Sequence, residues 1–306
     1  SYCILADGTH YKIRASAGIS WYPDDSDSYE MLIKYADFAM YTVKHSTKGN
    51  IAEFDLNSYS KDSILVTGIE EMNSIIDEQR IKYAFQAIIS AHDGTVYGYE
   101  ALMRPQSETL HSPMELIRIA KTGAKLHDIE RITWTLALKE FKNQRNKGNI
   151  PKNVKIFINS LSNCTLQPED IEIIENENAG ILDCVVLEIL ESEIANAEYT
   201  HDKKRRMTKW NAMIALDDFG SGYNSEHSLI TFEPDLIKID RTIVSGCDSD
   251  MNRKNIISNL VRLSKSKNIL VLAEGVETSG ELRTVVECGV DLLQGYYFER
   301  PVFEPQ

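Results

Sequence analysis

The sequence predicts an α/β protein: a (β/α)8, TIM-like barrel with an antiparallel first strand, preceded by a small α+β fragment. Three observations carry this. From Ile81 onward, eight short apolar runs alternate with amphipathic helices over roughly 230 residues, the size of one barrel. The first two runs are joined by His92-Asp93-Gly94, a hairpin turn with no room for a helical crossover. Residues 1–60 read differently, and hold too few elements to bury a core of their own.

In chain order, Tyr11–Tyr22 alternates like a strand and Pro23–Ser28 breaks it. From Tyr29 to His45, Leu32, Ile33, Ala36, Ala39, Met40 and Val43 recur at helical spacing, and Gly49-Asn50 stops the run. A second helix is expected over Ser63–Gln79. Strands are expected at Tyr83–Ser90, Val96–Leu102, Val154–Ile158, Cys184–Ile189, Met213–Leu216, Leu236–Ile239, Ile269–Ala273 and Asp291–Gln294. Helices are expected at Met114–Lys121, Asp128–Arg145, Lys203–Asn211, Met251–Ser266 and Gly280–Cys288. The basic run Lys203–Arg206 reads as a solvated helix face, and Trp134 as helix packing. The domain reading is a fragment over 1–56, a linker over 57–62 and the barrel over 63–306.

Acidic residues outnumber basic ones, 46 to 33, for a net charge of −13. That argues against a nucleic-acid polymer as partner, since such binders neutralise phosphates with basic surfaces. It leaves room for a small phosphate ester held through metal ions. The five cysteines are odd in number and lack C-x-x-C spacing, so reduced thiols are expected. No apolar run approaches the length of a membrane span. A cytoplasmic segment is expected, with any membrane attachment left to upstream parts.

Groups at the carboxyl ends of barrel strands converge on one mouth. There the sequence offers Glu100, Asn159, Glu188 with Glu191 beyond it, Asp217 and Asp218, Lys238 and Asp240, Glu274 with Glu277, and Gln294. A polar residue at one strand end is ordinary. Seven strands ending in carboxylate, amide or ammonium, none in histidine, point to a hard-cation site for Mg²⁺ or Mn²⁺. Asp217-Asp218 suits either a bridge or a division between two ions. Such sites activate a water for phosphoryl displacement. A lysine among them can hold or deprotonate that water if burial lowers its pKa, although the carboxylates oppose this.

At these residues the sequence resembles the EAL-domain cyclic di-GMP phosphodiesterases. The likeness rests on Glu100-Ala-Leu-Met-Arg104, Asn159, Leu187-Glu-Ile-Leu-Glu191, Asp217-Asp-Phe-Gly-Ser-Gly-Tyr223, Leu236–Arg241, Ala273–Thr278 and Gln294-Gly-Tyr-Tyr-Phe298, in order. The resemblance implies metal ligation by Glu100, Asn159, Glu188, Asp217, Asp218 and Glu274, and a catalytic Lys238 acting on the attacking water. It implies that Glu191 braces the loop Phe219–Ser225, that Gln294 and Asp240 line the same mouth, and that Gln86 and Arg104 face the substrate. Tyr296 and Tyr297, beside Gln294, are candidates for lining the pocket, Tyr297 being taken as substrate-binding. Gln86 suits a guanine edge and Arg104 a phosphate. The implied activity is Mg²⁺- or Mn²⁺-dependent hydrolysis of cyclic di-GMP to linear pGpG by a homodimer. Ser16–Ser20 and Ala36–Lys44 resemble the closing strand and helix of a GGDEF (diguanylate cyclase) domain, without its GGDEF motif.

Several positions depart from the family pattern. Ala87 stands for proline, Pro105 for tryptophan, Lys121 for glutamate and Leu190 for threonine, while Asn224 and Glu226 alter the loop. None is an expected metal ligand. Two alternatives follow: a receptor that binds cyclic di-GMP without hydrolysing it, and a dimerisation scaffold that binds no nucleotide.

Overall fold

Strand pairing closes eight strands into a ring. The computed structural model describes residues 2–4, 10–12, 15–46, 50–161, 163–191, 194, 197–220, 229 and 232–305. The barrel strands are β5 (Ile81–Ser90), β6 (Val96–Pro105), β7 (Lys155–Asn159), β8 (Val185–Leu190), β9 (Met213–Phe219), β10 (Leu236–Ile239), β11 (Leu270–Ala273) and β12 (Leu292–Leu293). β5 pairs antiparallel with both β6 and β12, and every other neighbouring pair is parallel. The antiparallel first strand is therefore present. It arises at the 92–94 turn, where Gly94 takes φ 71° and Ser90 N donates to Thr95 O at 2.8 Å.

Parallel strands covered on both faces need apolar residues at nearly every position, and Val185–Ile189 and Leu236–Ile239 are buried throughout. Inside the ring, Ile88, Phe157, Val186, Ala215, Leu236, Leu272 and Leu292 form a packed layer. One side chain each from seven strands fills the lumen, so the barrel is a core and not a pore.

Among the described residues, the helices around it are α3 (Pro113–Thr122), α4 (Leu126–Lys147), α5 (Pro168–Glu177), α6 (Ala197–Trp210), α7 (Arg241–Val244), α8 (Met251–Lys265) and α9 (Ser279–Cys288). Capping boxes start two of them: Ser112 with Glu115 at α3 and Thr278 with Glu281 at α9. Sequence periodicity gives no helix at α5. Of its residues only Ile174 is buried, so it lacks the apolar stripe that would announce it. The expectation of a solvated face at Lys203–Arg206 also needs correction. Lys203 and Arg206 are 1% and 6% exposed. Lys203 Nζ donates to Leu161 O at 2.9 Å, and Arg206 Nη2 donates to Asp202 Oδ2 and Thr165 Oγ1 at 2.7 and 2.9 Å. Trp134 packs edge-on against Trp210 with ring centres 5.5 Å apart.

The chain divides into two compact units, 1–73 and 74–306. In the first, the single strand expected over 11–22 is replaced by β2 (His10–Lys12), paired with β1 (Tyr2–Ile4), and β3 (Ala17–Ile19), paired in parallel with β4 (Ile51–Glu53). Helix α1 (Tyr29–Ser46) is the crossover between β3 and β4. Gly18 lies so close to it that a Cβ would stand 1.8 Å from Ala36 O, and only glycine permits that approach. Tyr35 and Phe54 stack at 3.9 Å, with Tyr59 edge-on to Tyr35 at 4.8 Å. Residues 57–62, expected as a linker, belong to helix α2 (Leu56–Asp77).

Candidate active site

The carboxyl ends of the parallel strands bring the predicted acids together around Lys238. This lysine is 1% exposed. Its Nζ lies 2.6 Å from Glu188 Oε1, 2.8 Å from Glu274 Oε1, 3.1 Å from Asp217 Oδ1 and 3.8 Å from Glu100 Oε1. Burial by itself would push the ammonium down, but Asp217, Glu100, Glu188 and Glu274 hold it well above the usual lysine range. The lysine is thus a firmly held cation, and the lowering that would make it a base is not what this surrounding does.

The acids answer unequally. Burial, reinforced by Glu100 and Asp217, pushes Glu188 well above the carboxylate range, with Lys238 opposing. Glu274 is pushed up to about 8, first by burial and then by Asp217 and Glu100, against the pull of Lys238. Glu100 lies below its usual range despite burial, because Lys238, Gln294 and Asn159 stabilise its charge. Gln294 Nε2 donates to Glu100 Oε2 at 2.7 Å and Asn159 Nδ2 donates to Glu100 Oε1 at 2.9 Å. Register explains the meeting: Asn159 stands opposite Glu188, and Gln86 opposite Glu100.

Successive residues on a strand face opposite sides of a sheet, yet Asp217 and Asp218 reach the same mouth. Asp218 has φ 55°, a left-handed turn that asparagine and aspartate tolerate better than most residues. One oxygen each of Asp217, Asp218 and Glu274 can lie within 4.8 Å of one another. Burial, then the neighbouring Asp217 and Asp240, raise the Asp218 carboxyl. A divalent cation fits this donor set. The available donors are hard oxygens, several carboxyls are held above their normal range, and buried Glu188 Oε2 has no hydrogen-bond partner.

Beside the acids opens a cavity of about 200 Å³ lined by Gln86, Glu100, Glu274, Gln294, Arg241 and Tyr296, among others. Gln294 Nε2 also approaches Gln86 Oε1 at 3.3 Å, and Gln86 Nε2 donates to Glu299 O at 3.1 Å. Arg241 was not singled out from sequence. It pairs with Glu277 at 2.8 Å and crosses Gly275, whose φ is 65° and where a Cβ would meet Arg241 Cγ at 2.4 Å. Its position directly after Asp240 was the available signal. Asp240 caps α7 by accepting from Thr242 N at 2.9 Å.

Three further predicted residues make contacts outside the Lys238 ion pairs. Arg104, four residues beyond Glu100 on β6, donates to Met103 O at 2.8 Å. Tyr297 is half-exposed and packs edge-on to Phe298, whereas Tyr296 lines the cavity and carries the Arg300 guanidinium 4.2 Å over its ring. Glu191 Oε2 accepts from Gly220 N at 3.2 Å. Of the loop Phe219–Ser225 that it is expected to brace, residues 221–225 lie outside the described residues, as does Glu226.

The EAL domain family matches residues 69–301, more than half of the chain. The chain belongs to the EAL-domain family. Among its curated relatives, the EAL chain is 25% identical over 305 residues to the cyclic di-GMP phosphodiesterase NbdA of Pseudomonas aeruginosa, covering 98% of this chain and 39% of that protein. It is 26% identical over 292 residues to the cyclic di-GMP phosphodiesterase PdeR of Escherichia coli, covering 94% and 44%. The chain thus spans less than half the length of these relatives. Among solved structures it resembles the PaMucR phosphodiesterase–c-di-GMP complex, with TM-score 0.66 and 22% identity over 76% of this chain and 96% of that one. The manganese and c-di-GMP complex of Klebsiella pneumoniae BlrP1 gives TM-score 0.63 and 25% identity over 73% and 56%. No helix among the described residues is long and apolar enough to cross a membrane.

Proposed function

We propose that the EAL barrel hydrolyses one phosphodiester bond of cyclic di-GMP to give linear pGpG. The observation that carries this reading is the gathering of Glu100, Glu188, Asp217 and Glu274 around one buried ammonium at the mouth of the barrel. Mg²⁺ or Mn²⁺ would be held by Glu100, Asn159, Glu188, Asp217, Asp218 and Glu274. When bound, the ion lowers the pKa of a coordinated water and offsets charge on the phosphoryl oxygens. The relatives support the substrate class, being named cyclic di-GMP phosphodiesterases or solved with c-di-GMP.

Each protein group then has a defined task. Lys238, held as an ammonium, offsets the excess acid charge and acts on the attacking water once a bound cation takes over carboxylates that now hold its N–H groups. Gln86 and Gln294 present amide edges that match the mixed donors and acceptors of guanine. Arg104 meets a phosphate, Asp240 lines the mouth, and Tyr297 offers a face to a base. Glu191 is a positioning residue, holding the backbone that follows Asp218 through Gly220 N.

We further assign residues 1–56 to the end of a GGDEF domain, residues 57–62 to the connection and 63–306 to the phosphodiesterase, acting in the cytoplasm as a homodimer. Alignment of 95% of this chain with a relative named as a bifunctional diguanylate cyclase/cyclic di-GMP phosphodiesterase, MucR of Pseudomonas aeruginosa, supports a cyclase-derived segment beside the barrel. The test is turnover of cyclic di-GMP with Mg²⁺, Mn²⁺ or chelator, the product identified by chromatography. Metal-dependent pGpG is expected. Nucleotide binding without product would move the protein to the receptor class.

A further inference from the structure

We propose that Glu130, which contributes no atom to the cluster around Lys238, is a positioning residue for Asn159. The inference rests on the metal-dependent reading above. Glu130 lies on α4 and is 1% exposed. A buried carboxylate is expensive unless its oxygens are satisfied, and here they are. Oε1 accepts from Ser160 Oγ at 2.8 Å and from Trp134 Nε1 at 3.1 Å, while Oε2 accepts from Leu161 N at 2.8 Å. Two of these three bonds fasten the residues immediately after Asn159.

Asn159 is the last residue of β7, where the strand ladder gives way to a turn. Its own side chain is exposed, so packing does not fix its rotamer. What fixes the backbone is the turn: Ser160 N donates to Glu188 O at 3.0 Å, Glu130 grips Ser160 Oγ and Leu161 N, and Lys203 Nζ grips Leu161 O at 2.9 Å. Asn159 Nδ2 in turn reaches Glu100 Oε1 at 2.9 Å. A connected path therefore runs from α4 through the turn to two expected metal ligands. Because alternate strand residues face opposite sides, a small rotation of this turn would swing the amide away from the mouth. Residues behind metal ligands orient them in this manner.

The test is Mn²⁺ binding by titration calorimetry without substrate, together with kcat and KM for cyclic di-GMP. Glu130→Gln keeps the volume and is expected to weaken Mn²⁺ binding about tenfold and lower kcat, with KM unchanged. A merely structural role would instead lower the melting temperature and leave Mn²⁺ affinity and kcat as they are, which overturns the proposal. Should Glu130→Gln fail to fold, Ser160→Ala decides. It removes one hydroxyl and is expected to weaken Mn²⁺ binding in the same direction, and unchanged affinity overturns the proposal. A wild-type chain that neither binds Mn²⁺ nor forms pGpG overturns the functional reading and this inference with it. A competent wild type matched by its folded variants overturns this inference alone.

Discussion

Lys238 sits among four carboxylates that would otherwise repel one another, so its removal tests the charge balance of the site directly. Breaking a buried ion pair by deleting one partner typically costs about 3–5 kcal/mol. Lys238→Met should therefore melt well below wild type in chelator, and Mn²⁺ should recover part of the loss. Equal melting curves in chelator would refute the assignment of Lys238 as the site's internal counter-charge. Glu100→Ala should abolish turnover while circular dichroism remains native. Unchanged rates would remove Glu100 from the ligand set. At this scale much of the site could be read from the sequence, because the acids stand at strand ends in motifs of fixed spacing. Three features could not. Arg241 has its role only through Gly275 and Glu277, Tyr296 and Tyr297 differ only in which ring the turn aims at the cavity, and Glu130 is recognisable only by what it touches.

Elements were legible where periodicity was strong and illegible where tertiary contacts replaced it. The barrel strands follow from apolar runs, and the antiparallel β5 from its turn. α5 escaped because it buries one residue, and the inward half of Lys203–Arg206 because Leu161 O and Thr165 Oγ1, which accept from Lys203 and Arg206, are distant in sequence. The lumen layer predicts a cost by position: Phe157→Ala should lose about 3–5 kcal/mol in denaturant titration. A loss near zero would contradict its place in the packed layer. Glu281, at the start of α9, gives a pH dependence. Although burial opposes it, the N–H groups of Gly246, Glu277 and Thr278 hold its carboxyl below the usual range. Its contribution is therefore complete above the unfolded value near about 4.3 and is lost as pH falls through the lower folded value. The fall in melting temperature below pH 5 should be shallower in Glu281→Gln than in wild type, and parallel curves would refute this.

For the whole molecule, a cation that binds only the folded barrel stabilises it by mass action, about 2.7 kcal/mol at a hundredfold excess over Kd. Mn²⁺ should raise the transition of the unit spanning 74–306 and leave that of the unit spanning 1–73 in place. Calorimetry showing equal shifts, or none, would contradict a metal site confined to the barrel. The way the barrel closes has one more consequence. Gln86 faces Glu100 only because the pairing of β5 with β6 is counted from the turn at 92–94, with a register shift between Ile88 and Ile89. In a hairpin, a slip of one residue exchanges the two faces of the strand. A single amino acid inserted or deleted at that turn, on the rim opposite the acids, would therefore exchange the amide paired with Glu100 for a neighbouring alanine or phenylalanine. Long insertions are harmless in most barrel loops, but among descendants of this sequence the short turn farthest from the chemistry should be the one whose length is inherited unchanged.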